Sequence, residues 1–236
     1  MTLAMAADGA EAQRVVMLGR LALAPDVSGA LWLPQERTLV VADLHLEKGS
    51  AYASRGVFLP PYDSAATLAA LSAAVLRHRP RRVIALGDSF HDVQGQARLA
   101  AESLATLRAL QQGRDWLWIT GNHDRSIAPA MGGDSAAEIE IAGVCLRHEP
   151  SARPPGPEIA GHLHPVAKLR LRGRALRRRC FALSALRCVM PAMGAYAGGL
   201  NLRDRAFRPL FDQGMSAHML GDGRVFRIDP RLLLPD

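Results

Sequence analysis

Short apolar runs, each followed at once by polar residues, recur in the first half of the chain. The runs cover residues 38–42, 82–86 and 116–120, and the polar residues that follow them include Asp43, Asp88 and Asn122. Runs of this length and composition are typical of buried strands. Between them, residues 64–78 and 96–112 have the composition of helices, and Asp63 or Ser64 could cap the first helix. The pattern predicts alternating strands and helices.

The second half of the chain contains strand-like runs and turn residues without a long helical period. The runs cover residues 137–147, 166–172 and 175–183, with Gly143 and Gly173 among the turn residues between them. This pattern is typical of antiparallel strands, and Gly-Asp-Gly at 221–223 predicts a hairpin turn before a last short strand. Two sheets stacked face to face, with helices outside, would bury all of these strands. The sequence therefore predicts an α/β sandwich.

The length of 236 residues fits a single domain over residues 1–236, with residues 1–15 forming either a flexible N-terminal extension or a strand. Hydrophobic residues make up 49% of the chain and charged residues 22%, which excludes the disordered and fibrous classes. The three cysteines form no C-x-x-C pair, which favours a reducing compartment. A leader sequence and an apolar run of membrane-spanning length are both missing from the pattern, so we expect a cytoplasmic protein without membrane association.

The charge balance favours encounter with polyanions. The chain has 29 Lys and Arg residues against 22 Asp and Glu, a net charge of +7, which would attract nucleic acid or anionic lipid. Nearly all of the basic residues are arginine, and a biased amino-acid composition would produce the same excess without any polyanionic partner. Charge alone therefore identifies no partner.

Histidines and acidic residues gather at the predicted strand ends, where sites form in α/β sheets. The clusters are Asp-x-His at 43 and 45, Gly-Asp at 87 and 88, Gly-Asn-His-Asp at 121–124, His148, and Gly-His-x-His at 161–164. Each cluster alone is a weak signal, because a histidine such as His148 could be a hydrogen-bonded core residue and an aspartate such as Asp43 could cap a helix. Their joint occurrence indicates a metal site.

In this order and spacing the clusters resemble the calcineurin-like metallophosphoesterase superfamily. The resemblance implies a four-layer α/β/β/α sandwich with two stacked mixed sheets, in which two metal ions activate a bridging hydroxide to attack a phosphoester. It also implies a ligand set: Asp43, His45 and His164 for one metal, Asn122, His148 and His162 for the second, and Asp88 bridging both. His123 matches the general acid of the family. His91 matches a position that orients this acid or contacts the phosphate. The adjacent Asp92 could be the partner of His123 instead.

The ligand types suit this chemistry. A carboxylate can bridge two cations and offset their repulsion, whereas neutral imidazoles and an amide oxygen hold the metals without cancelling their Lewis acidity. This mixture favours manganese, iron or zinc over calcium, and the resemblance favours manganese. In a strand, residues two apart point the same way, so Asp43 with His45 and His162 with His164 could converge if the chain stays extended.

Three further segments, residues 43–48, 55–63 and 190–200, resemble the bacterial DNA-ligase-associated metallophosphoesterases. The resemblance implies a phosphodiesterase or endonuclease that acts on DNA during repair, in functional association with a DNA ligase and a helicase. Met193 stands where phenylalanine is expected in this group. That departure affects packing rather than chemistry.

A basic stretch over residues 168–179 independently favours nucleic acid. It contains no acidic residue and seven basic ones: Lys168, Arg170, Arg172, Arg174, Arg177, Arg178 and Arg179. Lys168, Arg170 and Arg172 alternate with other residues, so a strand would carry a basic face close to the metals that could follow a nucleic-acid backbone. An ordinary solvated strand face is the alternative. Arg55 and Arg125 are further candidates for phosphate contacts.

The rival functions are a small-substrate phosphomonoesterase or nucleotide phosphodiesterase of the same fold, and a non-catalytic, metal-bound scaffold. Loss of ligands or of the acid would indicate a scaffold, and neither is missing from this sequence.

Overall fold

A computed structural model describes residues 15–212 and 214–236 of the chain. The extension expected over residues 1–15 therefore lies, apart from Val15, outside the described residues. The first half contains strands β1 (Val16–Leu18), β2 (Leu21–Pro25), β3 (Leu31–Leu33), β4 (Thr38–Ala42), β5 (Arg82–Leu86), β6 (Asp115–Ile119) and β7 (Asp134–Ala136), and helices α1 (Lys48–Ala53), α2 (Asp63–His78), α3 (Gly95–Arg98) and α4 (Ala101–Gln111). The second half contains β8 (Glu138–Ile141), β9 (Val144–Arg147), β10 (Glu158–Ala160), β11 (Pro165–Leu171), β12 (Arg174–Leu183), β13 (Arg187–Val189), β14 (Leu200–Asn201), β15 (Ser216–Leu220) and β16 (Val225–Ile228). Short 3-10 segments cover Pro129–Met131, Arg205–Leu210 and Pro230–Leu232.

The strands form two mixed sheets. The first runs in the order β1-β2-β3-β4-β5-β6-β7, antiparallel as far as β4 and parallel from β4 to β7. The second runs in the order β14-β11-β12-β13-β10-β9-β8, with β15 and β16 added beside β12. Most of its pairs are antiparallel, as expected from the sequence, whereas β10 lies parallel to both β9 and β13. The predicted bounds of β4 and β5 are confirmed, and the predicted turn at 221–223 joins β15 to β16.

Alternating residues of the central strands fill two different hydrophobic cores. In β4, Val40 and Ala42 join residues of the second sheet, such as Phe181, in a core between the sheets. Leu39 and Val41 instead pack with residues of α2 and α4. Because successive strand side chains point to opposite faces, a run buried on both faces reads as continuously apolar. The α/β sandwich of two stacked mixed sheets is confirmed.

The outer face of the second sheet packs against short 3-10 segments, whereas the outer face of the first sheet packs against helices α2 and α4. A third core joins Ala182 and other β12 residues to Phe207, from the 3-10 segment Arg205–Leu210, and to Leu233 near the C terminus. In the described part of the chain, 3-10 turns thus occupy the layer in which the sequence predicts helices. None of the described helices has the length and apolar character needed to cross a membrane.

Two local predictions about helices were wrong. Residues 96–112 do not form one helix, since the chain is extended between α3 and α4. In the same region Arg98 donates to Ser50 in α1 at 2.9 Å and to Asp92 at 2.8 Å, contacts that no local pattern reveals. Asp63 and Ser64 do not cap α2, because they lie inside its first turn and accept backbone N–H groups from the α1 region at 2.9 and 2.8 Å.

Candidate metal centre

The predicted ligand clusters meet at one edge of the sandwich. Strands β4, β5 and β6 run parallel, so the loops that follow them leave from the same edge. Backbone hydrogen bonds join two of these loops, since Asp43 N–H donates to Gly87 at 3.2 Å and His45 N–H donates to Asp88 at 2.9 Å. The second sheet contributes His148 after β9 and the Gly-His-x-His segment after β10, which is parallel to β9. Both sheets therefore supply side chains to one place.

The backbone at the ligands is left-handed rather than extended. Six residues here have φ between 43° and 69°: Asp43, His45, Glu47, Asp88, His162 and His164. This conformation is unfavourable for residues with a Cβ, and such residues collect at functional sites where surrounding contacts hold them in place. The expectation that residues 43–45 and 162–164 converge as extended strands was wrong. Sharp local turns, each held by long-range hydrogen bonds, aim these side chains instead.

One half of the site consists of Asp43, His45 and His164, whose ligand atoms lie within 4.8 Å of one another. The Nε2 atoms of His45 and His164 are 3.2 Å apart, and His164 Nε2 is 3.4 Å from Asp43 Oδ1. Asp43 and His45 are buried, whereas His164 is half-buried. These are the three side chains expected to share a metal.

The other half consists of Asp88, His148 and His162, again with ligand atoms within 4.8 Å of one another. His148 Nε2 lies 3.4 Å from Asp88 Oδ2, 3.2 Å from His162 Nδ1 and 2.9 Å from Asn122 Oδ1. The four side chains expected around the second metal are thus in contact. His148 Nδ1 is also 3.7 Å from Asp43 Oδ1, which joins this half to the first.

The ligand atoms of both halves are so close together that bound metal cations would satisfy them better than protons would. Burial, and then His164, lower the pKa of His45 to about 3, so its imidazole is neutral in ordinary conditions. Burial and His148 likewise lower the pKa of His162. Two pairs of imidazole nitrogens face each other at 3.2 Å beside carboxylate oxygens, so several lone pairs are directed at the same space. A pair of divalent metals would satisfy them, and the two Asp/His clusters fit a binuclear site.

Asp88 is held as a carboxylate between the two halves. Burial raises its pKa, but hydrogen bonds from His148 and from the His123 backbone N–H, at 2.9 Å, outweigh burial and lower it to about 2. The side chain is buried. An ionised carboxylate at this point can neutralise charge on both sides.

His123 is anchored through one ring nitrogen and points the other inward. Its Nδ1 lies 2.6 Å from the His91 carbonyl oxygen, to which it donates, and its Nε2 lies 4.0 Å from Asp88 Oδ2. The His91 ring stacks on the His123 ring with centroids 5.3 Å apart. Asp92 instead accepts from Arg98. Of the two expected partners of His123, His91 is therefore the one in contact, and its backbone makes the hydrogen bond.

Glycines that precede the ligands permit these close approaches, a feature that the sequence reading missed. A Cβ on Gly87 would overlap the His148 ring, one on Gly121 would overlap Asp88, and one on Gly161 would lie 2.5 Å from Asp43 Oδ2. The repeated order of glycine and then ligand, at 87–88, 121–122 and 161–162, is a pattern in the sequence that could have revealed this requirement.

Asp124, the last residue of Gly-Asn-His-Asp, was also missed as a positioning residue. Its carboxylate accepts backbone N–H groups from Ser89 at 2.6 Å, Phe90 at 3.1 Å and Gly121 at 3.0 Å. It is 1% exposed, and burial raises its pKa to about 6 despite these hydrogen bonds. Asp124 thus joins the loop that carries Asp88 to the loop that carries Asn122 and His123.

The segment over residues 190–200 supports the first half of the site. Met193 N–H donates to Ala42 at 2.9 Å and Gly194 N–H donates to Asp43 at 3.1 Å. Met193 is buried against the helical side of the first sheet. Arg179, which is half-buried, donates to the Ala192 carbonyl at 2.8 Å and so belongs to this support.

Cationic side chains border the site on the α1 side. Burial, and next the charge of Lys48, lower the pKa of His91 to about 4, and Arg55 adds to this effect. Lys48 was not singled out in the sequence, although it directly follows the Asp-Leu-His-Leu-Glu segment. Arg55 and Arg125 are both exposed, and Arg125 directly follows Asp124.

The basic stretch forms the β11–β12 hairpin, but Arg170 and Arg172 lie farther from the ligand clusters than expected. Strand β11 leads away from His164, so Arg170 lies roughly 20 Å along the strand, at about 3.3 Å per residue. Arg170 and Arg172 are exposed there. Lys168 is less available, because Asp236 lies 3.9 Å from it and 3.1 Å from Arg177, and Leu234 N–H donates to the Lys168 carbonyl at 2.7 Å.

No family model and no curated protein matches the chain. Among solved structures, a nuclease termed MPE from Pseudomonas putida is similar with a TM-score of 0.70 and 27% identity, over 91% of this chain and 99% of that one. Yfce, a phosphoesterase from E. coli, matches 81% of this chain and 97% of its own at 15% identity and a TM-score of 0.40. A protein of unknown function from Aquifex aeolicus matches 54% of this chain and 78% of its own at 17% identity and a TM-score of 0.39.

The nuclease carries the comparison, since its match covers nearly the whole of both chains. That likeness agrees with the two Asp/His clusters found in the geometry. The fold and the clusters together fit a metallophosphoesterase of the calcineurin-like kind, with Asp and His groups placed to bind the ions of a metal-dependent phosphoesterase.

Proposed function

We propose that this phosphoesterase cleaves phosphodiester bonds in DNA during repair, with His123 as the general acid. The observation that carries the proposal is the position of His123, whose Nε2 faces Asp88 at 4.0 Å between two metal-binding clusters. The similar Pseudomonas putida protein is a nuclease, which supports a nucleic-acid substrate. Association with a DNA ligase and a helicase stays a prediction from the resemblance.

The residues that would hold the metals are the seven named from the sequence. Asp43, His45 and His164 would bind one ion, Asn122, His148 and His162 a second, and Asp88 would contact both. The bound ions, most suitably manganese with iron or zinc as alternatives, would supply an activated water and neutralise charge on the phosphate. Because histidine and asparagine ligands carry no negative charge, most of the positive charge of the ions would remain available to the substrate.

His123 is placed to protonate the leaving oxygen. Its Nδ1 donates to the His91 carbonyl, which fixes the ring orientation. The other nitrogen, Nε2, is then the one that faces the reacting centre and can deliver a proton. General acids of this type contribute about 10²- to 10⁴-fold to the rate.

A diester substrate extends beyond the reacting phosphate, and basic side chains of this protein could contact the extended part. Lys48 and Arg55 lie close enough to His91 to affect its pKa, and Arg125 is exposed beside the acid loop. A longer strand could reach Arg170 on the β11–β12 hairpin. A small phosphomonoester would gain nothing from that distant contact, which favours a polymer as the substrate.

A metal-by-substrate matrix tests the proposal. Protein stripped of metal is reloaded with manganese, iron or zinc and assayed on single-stranded DNA, duplex DNA, a nitrophenyl phosphodiester and a nitrophenyl phosphomonoester. We expect cleavage of DNA and of the diester, with manganese the most effective. Turnover of the monoester without any cleavage of DNA would establish the small-substrate phosphatase instead, and bound metal without turnover of any substrate would establish a scaffold.

Two variants test the assigned roles. Asp88→Asn should lose bound metal and all hydrolysis, whereas Asp115→Asn should lose neither, because Asp115 is an exposed aspartate at the opposite end of β6 from Asn122. His123→Asn should retain metal but lose DNA cleavage more than nitrophenyl diester hydrolysis, since nitrophenolate departs without protonation. Equal losses on the two substrates would contradict the role of His123 as an acid.

A further inference from the structure

Exposed aromatic side chains collect on the loop between α1 and α2. Phe58 is 85% exposed and Tyr62 is 68% exposed, with Val57 beside them at 49%. Among the large hydrophobic residues exposed in 15–212 and 214–236, these two are the aromatic ones. Exposed apolar groups gathered in this way mark a site of interaction.

The backbone of this loop is held in place although its side chains are exposed. Val57 N–H donates to the Tyr52 carbonyl at 3.0 Å, and the Tyr196 hydroxyl donates to the Pro60 carbonyl at 2.7 Å. Two consecutive prolines, 60 and 61, further restrict the chain. A ligand that stacks here therefore orders little more than the aromatic side chains, which have few rotamers to lose.

The loop adjoins the acid side of the metal centre. The Tyr52 ring lies 5.8 Å from the His91 ring, which in turn stacks on His123. Because Val57 is hydrogen-bonded to Tyr52 and consecutive Cα atoms are about 3.8 Å apart, Phe58 lies within roughly 20 Å of His91. That span corresponds to a few nucleotides. Arg55, which is exposed in the same loop, adds a positive charge.

We propose that Phe58 and Tyr62 form a stacking platform for bases a few nucleotides from the phosphate that is cleaved, with Arg55 contacting the connecting backbone. This inference rests on the proposed function, and it specifies the part of the enzyme that recognises an unpaired strand. Flat aromatic faces beside cations suit nucleobases joined by phosphates. Three exposed side chains are far too few for a stable protein interface, which buries on the order of 1,200 Å² or more.

Variants of the platform test the proposal on two substrates. Phe58→Ala and Tyr62→Ala should each raise the KM for an unpaired DNA oligonucleotide about 5- to 150-fold, and leave turnover of the nitrophenyl diester unchanged. Phe58→Leu keeps an apolar side chain without a flat face and should resemble the alanine variant, whereas Phe58→Trp should preserve affinity. The control Leu76→Ala removes a 75% exposed side chain near the far end of α2 and should change neither assay.

Four results would overturn the platform, and only the last of them also overturns the proposed function. Wild-type KM values for DNA in both alanine variants would refute stacking, as would wild-type affinity in Phe58→Leu. Equal losses on DNA and on the small diester would show that the loop acts only by supporting the metal centre. If the unmodified enzyme hydrolyses the diester but no oligonucleotide, the proposed function itself fails, and the platform fails with it.

Discussion

Gly121→Ala is a sharp test of how this metal centre is assembled. Gly121 immediately precedes the ligand Asn122, and its backbone lies outside the left-handed region, so alanine introduces no conformational strain. The new methyl group would overlap the carboxylate and the backbone nitrogen of Asp88, and would lie 3.0 Å from Asp124 Oδ1. The perturbation is therefore purely steric and acts on the residue between the two halves of the site.

The expected magnitude follows from the distances. A contact with a backbone nitrogen cannot be relieved by rotating a side chain, so the Asp88 and Gly121 loops must separate by on the order of 1 Å, and such a displacement at a catalytic centre costs about 10²-fold in rate. Overpacking of this kind also lowers the free energy of unfolding by about 1–3 kcal/mol. We expect the variant to fold, to bind metal about 10- to 100-fold more weakly, and to lose about two orders of magnitude in turnover.

The assay combines metal content after gel filtration, urea unfolding, and hydrolysis of the nitrophenyl diester at saturating manganese. Gly156→Ala is the matched control, because its Cβ would meet no atom within 4 Å and its backbone also lies outside the left-handed region. That control should be neutral or slightly more stable. Wild-type metal content and turnover in Gly121→Ala would refute the close approach between the two loops.

Three further predictions concern stability and metal binding. Asp124→Ala leaves three buried backbone N–H groups without an acceptor. At roughly 1–3 kcal/mol for each group, the free energy of unfolding measured in urea should fall by about 3–9 kcal/mol, and a loss below about 1 kcal/mol would contradict this. Burial raises the pKa of Asp26, but hydrogen bonds from His78, Ser28 and Arg77 outweigh it and hold the pKa well below its usual range. The native state thus takes up this proton at lower pH than the unfolded chain, so the stabilisation is complete above the unfolded pKa and is lost as pH falls below about 4. Asp26→Asn should flatten the acid decline of the urea midpoint without changing hydrolysis at pH 7, and an unchanged acid slope would count against the pairing. Removing metal with a chelator should lower Tm, since free metal at a thousandfold excess over its Kd contributes about 4 kcal/mol to the stability of the folded protein. The Tm of Asp88→Asn should not change when metal is added, and a wild-type increase would exclude Asp88 as a ligand.

Much of the fold was readable from local pattern. The strands β4 and β5 begin and end as predicted, because a five-residue run with four consecutive apolar residues can be buried on both faces of a sheet. The turn at 221–223 likewise follows from short-range chemistry, since glycines allow the tight reversal. The ligand clusters could also be predicted from local pattern, because each one directly follows an apolar run that ends at the sheet edge.

The tertiary structure alone decided how those clusters become a site. His45 and His164 are 119 positions apart, yet their nitrogens lie 3.2 Å from each other, and Asp43 accepts the His162 N–H across a similar separation. Left-handed turns at the ligands are unfavourable locally and persist only because such long-range contacts hold them. The pairing of Lys168 with Asp236 and the exposure of Phe58 were equally beyond the reach of sequence pattern. Residue types and their order along the chain therefore determined the chemistry, whereas contacts between distant segments determined the geometry.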